Sequence, residues 1–184
     1  MENEKRTILL GITGSIAAYK AADLTTRLIK QGFGVYVIMT PNACRFITPL
    51  TLQTLSGHDV VCDQFAAYNS DTVEHISLAK RADLLIIAPA TANIIGKLAC
   101  GIADDMLTTT ALAIAPGKPK LIAPAMNTGM YENKIVQENL IKLKYCGYDE
   151  IAPKTSRLAC GDVGKGALAD IETIIAAVEG NFRD

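Results

Sequence analysis

The chain has 184 residues, 49% of them hydrophobic, with 18 basic against 19 acidic side chains and a net charge of −1. That length and hydrophobic share suffice for one domain with a real core and exclude a disordered chain. The near-neutral balance gives nucleic-acid binding little electrostatic support, and no run approaches the roughly 18 apolar residues of a membrane span.

Met1–Arg6 is charged and lacks the apolar region and cleavage site of a signal peptide, so a cytoplasmic protein is expected. Thr7–Ile12 reads as a buried strand. Ser15–Gln31 has helical spacing through Ile16, Ala17, Leu24, Leu28 and Ile29, with Gly32 placed to end it. Val35–Met39 is the second strand and Pro49–Ser56 a helix. Asp83–Ala88 is a near-continuous apolar strand, the pattern of a parallel sheet covered on both faces. Asn93–Gly101 and Asp105–Ala115 read as helices, Lys120–Ala123 as a strand, Asn133–Tyr145 as a helix, Tyr148–Ile151 as a short strand and Ala169–Glu179 as the last helix. Strands alternating with helices predict an α/β fold: a three-layer doubly wound parallel sheet, Rossmann-like or flavodoxin-like, in one domain over residues 1–184. The longest irregular stretch, Ala152–Ala167, carries Pro153, Gly161, Gly164 and Gly166, and a loop of that length suits a mobile lid over a site.

Three strand ends carry small, hydroxyl and amide residues: Gly11–Ser15 (GITGS), Ala88–Asn93 (APATAN) and Ala123–Met130 (APAMNTGM). Ligands of parallel α/β sheets bind at the carboxyl ends of strands, so one crevice is expected to gather all three. An asparagine such as Asn127 offers both a donor and an acceptor there. In Gly11–Ser15 the glycines let the backbone approach a phosphate, and the following helix N-terminus favours its charge. A tight strand-to-helix turn capped by Ser15 explains the same residues equally well. A NAD site calls for an acidic residue at the end of the second strand, where this chain has Met39 and Thr40, with Pro41 and Asn42 after them. Hydroxyl and amide groups suit a single phosphate better than a ribose diol, which points from a dinucleotide towards FMN.

Five cysteines, Cys44, Cys62, Cys100, Cys146 and Cys160, form no CxxC pair, and with only His58 and His75 beside them no metal site is expected. An odd count without a secretory signal suggests free thiols in a reducing compartment. Cys160 sits in the glycine-rich stretch and is expected to be exposed. The other four read as small buried structural residues. Lys20 and Lys97 are placed either to attract a phosphate or simply to be solvated on their helices. His75 taken alone is explained as well by a helix-start histidine that packs or caps as by a proton carrier.

Together GITGSIAAYK at Gly11–Lys20, EHISLAK around His75, PATANIIGKLACGIADD at Pro89–Asp105, PAMNTGMY at Pro124–Tyr131 and LACGDVGKGAL at Leu158–Leu168 resemble the flavin-containing cysteine decarboxylases. The order His, PxMN, CG-x-x-G-x-G is specific jointly, and Ile94 and Asp105 depart from the usual Thr and Asn of that family. The resemblance implies FMN contacts from Gly14, Ser15, Ile16, Thr40, Asn42, Thr91, Ala92, Asn93 and Ala125. It implies catalytic roles for His75 and Cys160 and substrate binding by Asn127, with a mobile substrate loop around 152–167. The activity it implies is decarboxylation of 4′-phosphopantothenoylcysteine to 4′-phosphopantetheine in coenzyme A biosynthesis, by a trimer or trimer-based dodecamer. A peptidyl-cysteine decarboxylase and a non-catalytic flavin-binding regulatory subunit are the alternatives. Some relatives carry a ligase domain after this one; the sequence stops at Asp184, so either a stand-alone enzyme or an excised domain is expected.

Overall fold

The computed structural model describes residues 5–65, 73–157, 161 and 163–183. The chain runs through β1 (Thr7–Ile12), a one-turn 3-10 helix (Ile16–Tyr19), α1 (Lys20–Lys30), β2 (Gly34–Met39), a 3-10 turn (Ala43–Arg45), α2 (Pro49–Ser56) and α3 (Glu74–Arg81). It continues through β3 (Leu84–Ala90), α4 (Ala92–Cys100), α5 (Met106–Ala113), β4 (Lys120–Pro124), α6 (Thr128–Tyr131), α7 (Lys134–Tyr145) and β5 (Tyr148–Glu150). The last elements are β6 (Lys154–Arg157), β7 (Val163–Ala167) and α8 (Ile171–Gly180).

Five strands form one sheet in the order β2-β1-β3-β4-β5, and every pairing in it is parallel. Successive side chains of a strand point to opposite faces, and the packing follows that period. Ile8, Leu10, Ile12, Leu84 and Ile86 pack with Leu24 and Leu28 of α1, Leu52 of α2 and Ile174 and Val178 of α8. Leu9, Leu85, Ile87 and Ile122 pack on the other face with residues of α3, α4, α5 and α7. All seven residues of β3 are buried, which is why its sequence is apolar without alternation. This is the expected three-layer doubly wound architecture. The chain leaves β1 for β2 on one side and returns to β3 on the other, so strand order reverses between β1 and β3. The crevice of such a sheet opens outside the carboxyl ends at that reversal.

Two expectations are corrected. Ser15–Gln31 is not one α-helix, because a 3-10 turn capped by Ser15 precedes α1. Within Ala152–Ala167 the described residues hold two strands, β6 and β7, which pair antiparallel as a hairpin. Its strands are polar or glycine-rich, and β7 buries only a glycine, so they carry no apolar period to read. The hairpin is rooted on the main sheet, where Met126 N donates to Gly166 O at 2.9 Å.

Candidate functional site

At the reversal point the loops after β1, β2 and β3 converge on a cleft of about 390 Å³. It is lined by Thr13, Gly14, Thr40, Asn42, Thr91, Ala92, Asn93 and Lys97, with Asp104, Asp105 and Met130 at its edge. Thr13, 1% exposed, knots two strand ends together: its hydroxyl donates to Pro89 O at 2.7 Å and accepts from Thr91 N at 3.1 Å. Thr91 in turn caps α4, its hydroxyl accepting from Ile94 N at 3.4 Å. Ser15 caps the 3-10 turn by accepting from Ala17 N at 3.3 Å. The α4 N-terminus, with its unpaired N–H groups and positive partial charge, therefore faces this crevice. Gly14 is required by a close approach, since a Cβ there would sit 2.6 Å from the Asn42 Cβ.

The charged groups of this cleft are already engaged. Lys97 Nζ lies 2.6 Å from Asp104 Oδ1 and 3.1 Å from Asp105 Oδ2. Asp105 also caps α5, accepting from Thr108 N at 2.9 Å. Burial pulls the Lys97 ammonium down, but its hydrogen bonds to the two carboxylates outweigh burial and hold it above the ordinary lysine value. The hydrogen bond from Lys97 holds the Asp104 carboxyl below its usual range. Lys97 is thus a paired residue of the cleft wall rather than a solvated helix lysine.

A second cleft of about 530 Å³ lies on the other side of the β1 loop. Gly14 lines the first cleft and Ser15 the second, so this loop is the partition between them. The second cleft is walled by Ile16 and Lys20, by Ala125, Met126 and Asn127 after β4, and by Lys154, Ser156, Arg157 and Gly166 of the hairpin. Asn127 caps α6, its Oδ1 accepting from Gly129 N at 2.8 Å. The hairpin closes on these residues because it has no side chains where it touches them. A Cβ on Gly166 would lie 2.3 Å from Met126 O, and one on Gly164 would lie 2.3 Å from Thr128 Oγ1. Lys20, Lys154 and Arg157 make this cleft cationic, although Lys154 is paired with Asp170.

The structure therefore gathers Gly14, Thr40, Asn42, Thr91, Ala92 and Asn93 in one cleft and Ser15, Ile16, Ala125 and Asn127 in its neighbour. His75 is not with them. It lies in the first turn of α3, which packs against α5, and it lines neither cleft. Cys160 lies outside the described residues. Cys100 and Cys146, expected to be buried, are exposed at the ends of α4 and α7, while Cys44 and Cys62 are half-buried. Sequence reasoning missed Thr13 and the Asp104–Lys97–Asp105 cluster. A hydroxyl beside Gly14 and a capping Asp followed three residues later by Thr108 were the available signals. Among the described residues no cluster of three metal-ligating side chains occurs, and no helix is long and apolar enough to cross a membrane.

The donor set fits the expected flavin mononucleotide. Hydroxyls, amides and backbone N–H groups at helix N-termini are what a phosphate accepts from, and both carboxylates at the cleft edge are bonded to Lys97.

The Flavoprotein family profile matches residues 1–183. The chain is 54% identical over 174 residues to a probable phosphopantothenoylcysteine decarboxylase of Streptococcus mutans, covering 95% of this chain and 97% of that one. It is 51% identical over 179 residues to the coenzyme A biosynthesis bifunctional protein of Bacillus subtilis, spanning 97% of this chain but 44% of the relative. Among solved structures, a cysteine-to-serine mutant of a PPC decarboxylase complexed with pantothenoylaminoethenethiol superposes with a TM-score of 0.91 at 34% identity, covering 98% of this chain and 100% of that one. An FMN-dependent cysteine decarboxylase superposes with a TM-score of 0.83 at 32% identity, covering 98% of each chain.

Proposed function

The chain belongs to the flavoprotein family, and from that premise we propose that it is an FMN-dependent decarboxylase acting on 4′-phosphopantothenoylcysteine. The product is 4′-phosphopantetheine, a step of coenzyme A biosynthesis, and the enzyme works in the cytoplasm. The observation that carries this reading is the convergence of Gly14, Thr40, Asn42 and Thr91–Asn93 at the sheet's reversal point, next to a cationic second cleft. A phosphorylated substrate is complementary to Lys20, Lys154 and Arg157, and a peptide C-terminus has less use for them.

Gly14, Thr40, Asn42 and Thr91–Asn93 would hold the cofactor, with Ser15, Ile16 and Ala125 as further contacts. When bound, FMN would supply a reversible two-electron acceptor for oxidation at the carbon that bears sulfur. The substrate's thiol carbon is then at the oxidation level of a thioaldehyde, so loss of CO2 leaves electrons delocalised onto sulfur as an enethiolate. Asn127 orients the substrate carboxylate. A neutral amide does this without the strong ground-state stabilisation that a cation would give, so departure of CO2 is not penalised. His75 is the base of the oxidation and decarboxylation phase. Cys160 is the acid that protonates the enethiolate carbon in the closing step.

His75 stands apart from both clefts of its own chain, which supports a site completed by the His75 of a neighbouring copy. The working form is accordingly a homo-oligomer, a trimer or a dodecamer built from trimers.

The test is direct. Purified protein is mixed with 4′-phosphopantothenoylcysteine, and product mass and CO2 are followed. Conversion to 4′-phosphopantetheine upholds the reading. A yellow, FMN-loaded protein that leaves this substrate untouched but decarboxylates a peptidyl cysteine overturns the substrate assignment.

A further inference from the structure

Two cysteines that the proposed chemistry does not use meet across the edge of the sheet. β2 is an edge strand, and the segment after α2 is laced to it. Met39 N donates to Val61 O at 2.9 Å and Val61 N donates to Val37 O at 3.2 Å. Immediately after β2 the chain turns back, with Ala43 N and Cys44 N both donating to Thr40 O, at 2.8 and 3.3 Å. That turn presents Cys44 to the laced segment. The Cys44 thiol donates to Cys62 Sγ at 3.4 Å, although the residues are 18 positions apart.

A disulfide requires its sulfurs at about 2.05 Å, so closing this pair takes an approach of roughly 1.4 Å. Neither cysteine is fully enclosed. Cys62 lines a surface groove of about 360 Å³ with Pro41, Phe65, Asp104 and Met106, wide enough for a small oxidant to enter. The contact thus brings together two free thiols, a short closing distance and a solvent approach.

We propose that Cys44 and Cys62 form an oxidisable dithiol, a modification site for hydroperoxides, which closes to an intramolecular disulfide and fastens the turn after β2 to the edge of the sheet. One thiol of the pair, as it gives up its proton, attacks the peroxide oxygen, the O–O bond breaks, and the alcohol or water departs with a proton, leaving a sulfenic acid on that residue. The other thiol then attacks the oxidised sulfur, the S–S bond forms, the S–O bond breaks, and water leaves with the second thiol's proton. Two thiols lose two protons and two electrons, and the peroxide accepts them. Burial, and next the contact with Cys44, push the Cys62 thiol up to about 12. The turn so fastened carries Thr40 and Asn42, the wall of the first cleft, but the dithiol assignment rests on its own geometry and not on the proposed reaction.

The experiment treats the purified flavin-loaded protein with hydrogen peroxide, blocks the remaining thiols and maps the peptides by mass spectrometry. The expected result is a loss of about 2 Da per chain, two fewer alkylated thiols of the five, and one linked peptide pair joining Cys44 to Cys62, reversed by a phosphine reductant. Cys62→Ser is expected to stop at a sulfenic acid on Cys44 that dimedone traps. A wild-type map that links either residue to a different cysteine, or that shows Cys44 overoxidised while Cys62 stays free, overturns the proposal. The wild-type map decides the matter by itself if the variant does not fold.

Discussion

Gly14 backs directly onto Asn42 across the crevice: a Cβ added to Gly14 would lie 2.6 Å from the Asn42 Cβ and 3.2 Å from the Asn42 carbonyl carbon. Both contacts are to atoms at or next to the backbone, so no side-chain rotation relieves them. Gly14→Ala is expected to push the turns after β1 and β2 apart and to weaken FMN binding tenfold or more, about 1.4 kcal/mol. The flavin absorbance that remains with the protein after gel filtration reads this. Full retention of flavin would show that the close approach does not matter to the cofactor.

The hairpin depends on a second such contact. A Cβ on Gly164 would meet Thr128 Oγ1 at 2.3 Å and Cγ2 at 2.8 Å. Gly164→Ala should undock β6–β7 from α6, lower decarboxylation and expose the hairpin to protease. Thr128→Ala removes the two nearest clashing atoms, so the double variant should recover much of what the single one loses. Additive losses would place the effect elsewhere.

Tyr131, 6% exposed, donates to Glu150 Oε1 at 2.8 Å. Burial first, and then that hydrogen bond, push its phenol up to about 12. Tyr148 is likewise pushed up to about 12, chiefly by burial. In the unfolded chain both titrate near 10. Their raised values give stability that is complete below about pH 10 and is lost as pH rises towards 12. Tyr131→Phe removes one of the two groups. Urea midpoints should fall less steeply between pH 10 and 12 than in the wild type, after a loss at neutral pH of about 1 kcal/mol for the missing hydrogen bond. An unchanged alkaline slope would contradict this account.

Cys160→Ser should still release CO2 yet fail to finish. The expected product is the enethiol, two hydrogens lighter than 4′-phosphopantetheine, because the proton for the last step has lost its donor. Formation of 4′-phosphopantetheine at the wild-type rate would remove Cys160 from the mechanism.

The absence of His75 from the lining of both clefts yields a complementation test. His75→Asn and Asn127→Ala should each lose activity, by about 10²–10⁴-fold for the proton carrier. Co-expressed in one oligomer they should regain a fraction of it, since some sites then combine an intact His75 from one copy with an intact Asn127 from another. No recovery in a verified mixed oligomer would place both residues in a single chain's site.

How much of this was legible beforehand depended on range. The strands Thr7–Ile12, Gly34–Met39 and Leu84–Ala90 could be read because a buried parallel strand writes its burial into consecutive side chains. The residues that follow them could be read because small, hydroxyl and amide groups at strand ends leave a local signature of glycine turns and helix caps. The hairpin could not: polar strands with two glycines look like a loop until they pair. The same holds for the exposed Cys100 and Cys146, whose residue type favours burial while their helix ends do not.

The sequence by itself determined the α/β alternation, the two-sided burial of the sheet and the chemistry offered at each strand end, because propensity and side-chain period act within a few residues. Tertiary structure alone decided which strand ends meet. The Thr13–Pro89 bond spans 76 positions, the Cys44–Cys62 contact 18, and Gly14 rests on Asn42 because the strand order is β2-β1-β3-β4-β5. No local pattern encodes that order. It follows from which faces can be buried together once the whole chain has collapsed, and that is why one expected site became two clefts parted by a single loop, with His75 outside both.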